Sequence, residues 1–410
     1  MKRYLTILLA CALVISGAGC SSSVSCPADP GQSKDLMAGI EGEEILVCYD
    51  DERARCEYLD FSLRLLQQCY AAESTLLSPL SVYTALSMTA EGARGETGQQ
   101  MRAVLGIPAE GWFWDLYSEE LKLANAIWLS EDEGFTVNPD FLQTNADCYG
   151  AGIYSAPFDD ATLRDINNWV AEHTDGRIPE MLDTINPDAV MYLVNALAFQ
   201  ADWQTVYAEH QLRDRAFTRE DGTTCRAEFM YSEENSYLEN DIATGFMKQY
   251  KGGSYAFVAL LPGEGMTMAE FVNALDGQML AQLLSSVEYT TVDAAIPSFE
   301  AGYGADLAEP LKEVGMPLAF DPEKADFSGM GTYDGGNISI SMVLHKTYIR
   351  VDAEGTQASA ATVVTPTYGA APIQQERKSV ILDRPFLYMI VDTEAGIPIF
   401  IGTMMNPGER

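Results

Sequence analysis

The segment "VDAEGTQASAATVVTPTYGAAPIQQERKSV", Val351 to Val380, combines features of a buried strand with features of an exposed loop. Side chains on a strand alternate between two faces. One face of the first half carries only small, uncharged side chains, those of Thr356, Ala358, Ala360 and Thr362. After Val364 the segment contains two prolines, a glycine, polar residues and two cations, which is typical of a loop. The segment could therefore lie between two strands in one state and be exposed in another.

Glu354 and Gly355 stand just ahead of this strand and form a candidate hinge. Glycine adopts backbone dihedral angles that other residues avoid, so the chain can change direction at Gly355. The opposite face of the strand is more varied and carries Gln357, Ser359, Ala361 and Val363. On these features alone, an ordinary linker rich in alanine and threonine fits the segment as well.

The composition indicates a folded and strongly acidic protein. The chain has 410 residues, of which 47% are hydrophobic and 10% aromatic, enough for a sizeable core. Its formal net charge is −35. This charge repels nucleic acid, anionic lipid and sulfated polysaccharide, so we expect no nucleic-acid partner. Since no repeat and no linker interrupts residues 46–410, we expect a single domain there.

The N-terminus has the features of a signal peptide over residues 1–19. Two basic residues precede an apolar run that contains no acid and is short for a membrane span. Small residues then lead into Cys20, and a Ser-rich tether follows over residues 20–45. The arrangement resembles a bacterial lipobox, with Gly17 where that motif usually has leucine. We expect an exported protein, either a cell-surface lipoprotein attached to the membrane through lipid on Cys20 or a secreted, extracellular protein.

The chain contains none of the common motifs of catalytic or metal sites. Only three histidines are present, and HExxH, GxSxG and GxxxxGK[ST] are all missing. Six cysteines remain after the signal peptide and Cys20, but their spacing indicates no zinc site and leaves their disulfide pairing open. We therefore expect no catalytic residue, no cofactor and no metal.

The order of the apolar patterns predicts an α+β fold. An early amphipathic helix is predicted by residues at helical spacing, namely Leu59, Leu63, Leu66 and Tyr70. Ser78 and Pro79 are typical of the start of a second helix. The runs "IWLS", "MYLVNALAF" and "YAFVALLPG" are rich in strand formers. Near the C-terminus, "SVILDRPFLYMIVD" and "IPIFIGTMM" predict a buried hairpin.

Several segments resemble the serpin family and follow one another in serpin order. The hinge "AEGTQASAAT" is close to the serpin pattern EEGTEAAAAT. "SPLS" with "EGARGETGQQM", "INNWVAEHTDGRIPEML", "VNALAFQADW", "VLHKTYIRVDAEGT", "DRPFLYMIVD" and "PIFIGTMMNP" also look like serpin segments. The resemblance extends over most of residues 50–410. By this resemblance the chain is identified as a bacterial, exported serine protease inhibitor of the serpin family.

The resemblance implies a serpin fold, with three β-sheets, eight or nine helices and an exposed reactive-centre loop. It implies a suicide substrate: a serine protease attacks the loop, which then inserts into the central sheet and traps the acylated protease. The native state would be metastable and its stability kinetic. The chain between "GWFWDLYSEE" and "LKLANAIWL" is short, so the helix D region is expected to be shortened. Together with the negative charge, this argues against heparin activation.

The resemblance also assigns roles to individual residues. Ser81, Asn195 and His345 match the shutter, a polar cluster beneath the opening sheet that controls strand separation. Trp203 matches the tryptophan of the breach, where insertion begins. For His345 and Trp203, ordinary core packing is the alternative. The hinge comprises Glu354, Gly355, Thr356, Gln357, Ala358, Ser359, Ala360, Ala361 and Thr362.

Two positions depart from the family pattern. Ala353 stands where the hinge pattern has its first glutamate, and Ser298 stands where many serpins have the lysine that pairs with it. A surface ion pair contributes only about 0–1 kcal/mol, so its loss is tolerable. We expect another contact, such as the packing of Trp203, to hold the breach.

Counting along the loop from Ala353, as the resemblance implies, places the reactive bond among Tyr368, Gly369, Ala370 and Ala371. Small residues there suit an elastase-like or subtilisin-like protease, whereas Tyr368 suits a chymotrypsin-like one. Pro366 lies on the inserting face and is expected to slow the last steps of insertion, because proline cannot donate to a sheet ladder. Arg377 and Lys378 are interpreted as solvated loop charges.

Other kinds of function remain as alternatives. A non-inhibitory serpin, acting as a binding or surface module, would have the same fold. An enzyme with a dispersed site would act without its loop, and so would a surface adhesin anchored through Cys20. The composition of the hinge favours an inhibitor, which we expect to be a monomer with serine proteases as partners.

Overall fold

The computed structural model describes residues 33–43, 52–106, 118, 120–131, 134–356 and 377–408. The helices within these ranges are α1 (Glu52–Cys69), α2 (Pro79–Ala90), α3 (Gly95–Leu105), α4 (Pro139–Tyr149), α5 (Asp160–His173), α6 (Met268–Ala274), α7 (Gly277–Ser285) and α8 (Ala308–Val314). Short 3-10 helices occupy Glu209–Gln211 and Pro317–Phe320. The predicted signal peptide (residues 1–19) and Cys20 lie outside the described residues, and so does most of "GWFWDLYSEE" (residues 111–120), after which the shortened helix D region was predicted.

Nineteen strands accompany these helices in the described ranges. They are β1 (Lys34–Asp35), β2 (Thr75–Leu77), β3 (Leu121–Ser130), β4 (Thr136–Val137), β5 (Gly152–Ala156), β6 (Met191–Phe199), β7 (Ala201–Asp202), β8 (Leu212–Thr218), β9 (Thr224–Glu239), β10 (Ala243–Gln249), β11 (Tyr255–Pro262), β12 (Glu288–Pro297), β13 (Phe299–Asp306), β14 (Gly331–Thr332), β15 (Met342–Val351), β16 (Gly355–Thr356), β17 (Lys378–Ile381), β18 (Phe386–Asp392) and β19 (Ile397–Met404). Helices and strands thus mix along the chain, and the predicted α+β class is confirmed.

The strands form three sheets. Sheet A follows the order β1-β5-β3-β6-β15-β16-β7, and β13 pairs with the other edge of β15. Sheet B follows the order β17-β12-β9-β10-β11-β18-β19-β2, and β8 pairs with β9. β4 and β14 form a small third sheet. In sheet A, β6 is antiparallel to β3 but parallel to β15.

Helix α2 lies in the main core, between the two large sheets. All of its residues are buried, and it contacts β3 and β6 of sheet A as well as β19 of sheet B. The helix carries no charged side chain on any face, which suits a helix with no solvent face. Ser78 accepts a hydrogen bond from the Ser81 N–H at its start, and Pro79 takes the first helical position. The predicted start of this helix is confirmed.

The two other local predictions from the sequence are also confirmed. Leu59, Leu63 and Leu66 are buried on α1. The C-terminal hairpin is formed by the antiparallel strands β18 and β19. Their paired residues run from Phe386 opposite Met404 to Asp392 opposite Ile397. Both strands are almost fully buried because sheet B packs against the helical core.

A second, smaller core lies between the outer face of sheet A and helix α5. Ile166 and Val170 of α5 are buried against Trp128 of β3 and Val194 of β6. The Trp128 ring stacks on Tyr154 of β5 at 4.6 Å between centroids. Helix α5 therefore covers the part of sheet A that lies beside the β6–β15 pair.

Residues 33–43 lie against the folded body, although the sequence places them in a tether. Lys34 and Asp35 form the edge strand β1 and pair with β5. The Ser33 hydroxyl donates to Asp165 Oδ2 of α5 at 2.6 Å, and the Glu43 N–H donates to Asp147 Oδ1 of α4 at 2.9 Å. The described part of the predicted tether is therefore attached to the folded body, although most of its residues remain exposed. Among the described residues, no helix is long and apolar enough to cross a membrane.

Replacing Asp159 by alanine tests how α5 is held over sheet A. Asp159 Oδ1 accepts from the N–H groups of Ala161 and Thr162, at 2.8 and 3.0 Å, and so caps the helix. We expect Asp159→Ala to lower stability by about 1 kcal/mol, measured as a lower midpoint of thermal unfolding. Asp160→Ala, which removes the adjacent exposed acid without removing the cap, is the control. Equal effects of both substitutions would contradict a capping role.

Candidate functional site

The structure seats the start of the hinge inside sheet A. Strand β16 lies between β15 and β7, where Thr356 pairs with Val351 on one side and Ala201 on the other. Below this point β6 and β15 pair directly, with His345 opposite Asn195. Sheet A is thus open only where the hinge enters. We call the seam between β6 and β15 the slot.

A tight turn leads the chain from β15 back into β16. The Asp352 N–H donates to the Gly355 carbonyl at 3.0 Å. Asp352 Oδ1 in turn accepts from the N–H groups of Glu354 and Gly355, at 3.0 and 3.3 Å. Arg350 Nε lies 3.1 Å from Asp352 Oδ2. These contacts fix the turn and set β16 antiparallel to β15.

Thr356 is completely buried at the mouth of the slot. Its Oγ1 lies 2.6 Å from the hydroxyl of Tyr250, which is itself buried at the end of sheet B. Burial raises the pKa of Tyr250 well above its usual 10.0, so this hydroxyl keeps its proton. The hinge is therefore anchored to sheet B by one buried hydrogen bond.

The segment Trp203–Tyr207 covers the turn from the other side. The backbone N–H groups of Trp203 and Tyr207 donate to the carbonyls of Glu354 and Ala353, both at 2.9 Å. Trp203 Nε1 donates to the Asp352 carbonyl at 2.8 Å, and its ring stacks on Tyr250 at 4.5 Å between centroids. The structure therefore places Trp203 in contact with the hinge, where the sequence assigns it to the breach.

A buried ion pair completes the breach, and the sequence analysis missed it. Lys248 Nζ lies 2.8 Å from Glu234 Oε1, and the side chains are 4% and 13% exposed. The ammonium group also lies 4.5 Å from the ring centre of Tyr207 and 5.4 Å from that of Trp203. A lysine within the mostly apolar "ATGFMKQY" was the available signal, because a lysine is rarely fully buried unless paired.

The structure also brings the three predicted shutter residues together. Asn195 Oδ1 accepts from the Ser81 hydroxyl at 3.1 Å and lies 2.8 Å from His345 Nδ1. The Ser78 N–H donates to His345 Nε2 at 3.1 Å, so the proton of the neutral ring is on Nδ1 and points to Asn195. Among the described residues, Asn195 Nδ2 is buried without an acceptor. The cluster therefore joins α2 to both strands of the slot and leaves one donor unused.

His345 is neutral in this cluster. Burial lowers its pKa from 6.5 to about 3, because the charged imidazolium loses its hydration in the core. Protonation would also remove the Nε2 lone pair that accepts from Ser78.

The far end of the loop is attached by ion pairs. Arg377 contacts Glu233 of β9 and Asp293 of β12, the latter at 2.6 Å. Lys378 begins β17, which runs parallel to β12, and its Nζ lies 3.8 Å from Glu239 Oε2. The interpretation as solvated loop charges holds for Arg377, which is exposed and precedes β17 although it is ion-paired, but it is wrong for Lys378, which is half-buried within β17.

The other predicted site residues are only partly described. Glu354, Gly355 and Thr356 belong to the turn and β16, whereas Gln357 to Thr362 and the reactive-bond residues Tyr368 to Ala371 lie outside the described residues. Ser298 donates its N–H to the Glu228 carbonyl at 2.7 Å. Within the described ranges, no group of three or more His, Cys, Asp or Glu side chains has the arrangement of a metal site.

A family model described as Serpin (serine protease inhibitor) matches residues 57–407. The chain belongs to the serpin family. A serpin-like protein of Thermococcus kodakarensis is 31% identical over 351 residues, covering 82% of this chain and 81% of the relative. The leukocyte elastase inhibitor of Bos taurus is 30% identical over 363 residues, covering 82% and 94% of the two chains. Serpins are generally protease inhibitors rather than catalytic enzymes.

Solved serpin structures share this fold. The native state of tengpin, a thermophilic serpin, matches with a TM-score of 0.86 and 42% identity, covering 92% of this chain and all of that one. The latent state of tengpin matches with a TM-score of 0.75 and 40% identity, covering 89% and 99%. This serpin is therefore more similar to the native state than to the latent state.

Replacing Gly355 by alanine should expel the hinge from the sheet. A Cβ at this position would lie 2.2 Å from the Ala201 carbonyl oxygen and 2.7 Å from Asp202 Cα, and neither backbone atom can move aside. We expect a Glu-specific protease to cut after Glu354 about tenfold faster, because overpacking costs roughly 1–3 kcal/mol. Gly302→Ala on β13, where the nearest atom is 3.6 Å away, is the control. An unchanged cleavage rate in Gly355→Ala would contradict the seated hinge.

The shutter should become unstable in acid because of His345. Unfolded chains bind a proton on this ring below pH 6.5, whereas the folded chain does not until about pH 3. Its contribution is complete above pH 6.5 and declines as pH falls, by about 1.4 kcal/mol for each unit towards pH 3. The midpoint of thermal unfolding should therefore fall more steeply from pH 7 to pH 5 in the wild type than in His345→Gln.

The exposed His210 provides the control for this measurement. His210→Gln removes a histidine without touching the shutter, so its pH profile should follow that of the wild type. Parallel profiles for the wild type and His345→Gln would show that the shutter histidine does not set the acid sensitivity.

Proposed function

We propose that this serpin inhibits a serine protease as a suicide substrate, by inserting its reactive-centre loop into the slot of sheet A. The observation that carries the proposal is the position of β16. Gly355 and Thr356 already pair with β7 and β15, while β6 and β15 still pair directly below them. The first two residues of a new central strand are thus in place. Further down, the place of that strand is closed by the direct pairing of β6 with β15.

In this proposal the protease carries out the bond cleavage, and the serpin contributes a strand that inserts faster than the resulting ester is hydrolysed. The protease serine oxygen bonds to the carbonyl carbon of the reactive bond, and the peptide bond breaks. The residue after the bond leaves as a new amino terminus, and the loop stays attached to the protease through an ester. Water would then hydrolyse this ester in ordinary proteolysis. Inhibition requires the freed strand to insert before that step.

The register of β16 predicts which residues the inserting strand would meet. Thr356 pairs with Val351 and with Ala201, so each step along the loop moves one residue down both neighbours. The inward positions would be Ala358 between Ile349 and Phe199, Ala360 between Thr347 and Leu197, and Thr362 between His345 and Asn195. All six of these sheet residues are buried, so the inserting face needs small side chains.

At the shutter this register offers a partner for the unused donor. Thr362 would lie between Asn195 and His345, and its hydroxyl oxygen could accept from Asn195 Nδ2. That amide group has no acceptor among the described residues in the closed sheet. An unsatisfied buried donor costs about 1–3 kcal/mol, so insertion as far as Thr362 would relieve a cost present in the closed state.

Pro366 would lie beyond the ladder in the same register. Pro366 would lie opposite Met191, the first residue of β6, on one side. On the other side it would lie one residue beyond Met342, where β15 begins. A missing N–H therefore affects only the end of the new strand. We propose that Pro366 slows insertion less than its place on the inserting face suggests.

The length of the loop supports displacement of the bound protease. Thirteen steps separate Thr356 from Gly369, which is about 43 Å in extended conformation. The nine residues of β6 extend over about 30 Å. A protease joined to the loop near Gly369 would thus be carried past the opposite end of the sheet.

We propose elastase-like or subtilisin-like proteases as targets, with a reactive bond among Tyr368, Gly369, Ala370 and Ala371. The small residues in this stretch fit a shallow specificity pocket, and the bovine relative is named for inhibition of leukocyte elastase. A chymotrypsin-like target would use Tyr368. We further propose that the monomeric protein is exported, through a signal peptide and lipid on Cys20 or by secretion, to where it meets such proteases.

The test is a covalent complex that survives boiling in SDS. The chain from residue 21 onwards is mixed in turn with neutrophil elastase, subtilisin, chymotrypsin and trypsin, and the released C-terminal peptide is weighed. We expect a band near the sum of both masses, with a peptide that starts within residues 369–371. Cleavage by every protease without such a band would show a non-inhibitory serpin instead, which would act as a binding or surface module.

Thr356→Arg should convert the inhibitor into a substrate. The buried position gives an arginine no partner, and an unpaired buried charge costs several kcal/mol. Insertion of the loop should therefore slow by about 100-fold or more relative to hydrolysis of the ester. The SDS-stable band should disappear while cleavage continues. Gln357→Arg is the matched control, because its register partners Arg350 and Gln200 are exposed or half-buried. Complex formation by Thr356→Arg at the wild-type level would contradict insertion from this hinge.

A further inference from the structure

The ion pair between Lys248 and Glu234 is buried at the point where the hinge enters sheet A. Its two side chains are 4% and 13% exposed, and their charged atoms are 2.8 Å apart. Removing one partner of such a pair leaves an uncompensated buried charge, which makes the pair sensitive to single substitutions. Most other ion pairs among the described residues have at least one well-exposed side chain and contribute little.

The pair continues into a short hydrogen-bond network that ends on Tyr207. The Ser232 hydroxyl donates to Glu234 Oε1 at 2.6 Å. Since Ser232 has used its proton, the Tyr207 hydroxyl, 3.3 Å away, donates to the Ser232 oxygen. Burial raises the pKa of Tyr207, so this hydroxyl keeps its proton. One end of the network is therefore fixed on β9 and the other on the covering segment.

The Lys248 ammonium group binds the same segment through its aromatic rings. It lies 4.5 Å from the ring centre of Tyr207 and 5.4 Å from that of Trp203. The two rings are nearly perpendicular, at 88°, and form a corner around the cation. Cation–π contacts of this kind strengthen when the cation is desolvated, as it is here.

Tyr207 and Trp203 are also the residues whose backbones hold the turn. Their N–H groups donate to the carbonyls of Ala353 and Glu354, both at 2.9 Å. The covering segment has one further backbone bond to β10, from the Gln204 N–H to the Gln249 carbonyl at 3.0 Å. Lys248 thus connects a strand in the middle of sheet B to both residues that restrain the hinge.

We propose that Lys248 and Glu234 form a latch that positions the Trp203–Tyr207 segment over the hinge and thereby sets the rate at which the slot opens. Lys248 acts through the two aromatic residues and is a positioning residue. The inference rests on the proposed function only in that the slot is where the loop inserts. Loss of the latch would release the segment, unseat the turn and let a strand enter the slot more readily.

The test measures entry into the slot directly, without a protease. A synthetic peptide with the sequence of residues 356–369 is incubated with the intact, uncleaved protein, and its incorporation is followed on native gels. The decisive variant is the double substitution Lys248→Met with Glu234→Gln, which removes both charges and leaves no buried ion unpaired. We expect this variant to incorporate the peptide about tenfold faster than the wild type, because the cation–π and ionic contacts are lost together.

A matched control is present on helix α8. Lys312 Nζ lies 2.6 Å from Glu309 Oε1 and 5.6 Å from the ring centre of Phe320, so the chemistry is similar but remote from the hinge. Lys312→Met with Glu309→Gln should leave the rate of peptide incorporation unchanged. Lys248→Arg, which keeps the charge and the stacking, should stay close to the wild-type rate.

Thermal unfolding of each variant distinguishes the latch from general destabilisation. A merely structural pair would lower the unfolding midpoint of the double variant without speeding incorporation, and that result would overturn the proposal. So would equal acceleration by the Lys312 control. If the double variant does not fold, Ser232→Ala, which removes the hydrogen bonds to Glu234 and Tyr207 but keeps the ion pair, is expected to incorporate the peptide about threefold faster. A wild-type rate in Ser232→Ala would then overturn the latch.

The outcome is separable from that of the protease experiment. Peptide incorporation that depends on Lys248, together with no SDS-stable complex, would leave the latch standing and refute the inhibitor. An SDS-stable complex together with peptide incorporation that is indifferent to Lys248 would leave the inhibitor standing and refute the latch.

Discussion

The direct pairing of β6 with β15 is the constraint on which the rest of the structure depends. Six parallel residue pairs, from Met342–Tyr192 to Thr347–Leu197, hold the slot closed. A strand that entered from β16 would be antiparallel to both neighbours, as β16 already is. Each parallel pair would be exchanged for two antiparallel ones, and antiparallel ladders are slightly more stable per residue. Insertion as proposed would therefore give an arrangement with more and better backbone hydrogen bonds, and the stability of the closed seam would be kinetic in that sense.

Two polar clusters act on this seam from different positions. The shutter lies beneath the paired strands and ties both of them to α2 through Ser81, Asn195 and His345. The breach lies at the mouth and holds the turn rather than the strands. Two buried charges in the breach are compensated by each other and by two rings, whereas the shutter stays neutral because burial disfavours a charged His345. We therefore expect the two clusters to respond to different perturbations, the shutter to acid and the breach to the loss of a charge.

The sequence predicted the elements whose signals are local. The amphipathic pattern of α1, the Ser78–Pro79 start of α2 and the apolar hairpin at the C-terminus each depend on neighbouring residues. The shutter residues were found only through a family resemblance, because they meet from one helix and two strands. Lys248 and Glu234 lie on the adjacent strands β10 and β9, but their burial was missed because it requires the distant Trp203–Tyr207 segment to pack over them. The edge strand β1 was missed because Lys34 and Asp35 are polar, and the backbone alone explains why they pair with β5.

Because the hinge is already partly seated in sheet A, the proposed insertion would be limited by release of the turn and not by the loop finding the slot. Fixing the backbone of one residue costs about 1–2 kcal/mol, and a free loop would have to meet that cost for the first residues before any ladder formed. Gly355 and Thr356 have already met it, with Thr356 held by Tyr250. The early pairing of Gly355 and Thr356 would therefore favour insertion. Premature insertion would then have to be prevented by contacts that hold the turn itself. Trp203 and Tyr207 contact the turn through short backbone hydrogen bonds, and their rings share the ammonium group of Lys248. These contacts would therefore be lost together once the segment moves. A restraint of that kind would hold firmly at rest and offer little resistance after it fails, which is what the proposed inhibition requires of a strand that inserts before an ester is hydrolysed.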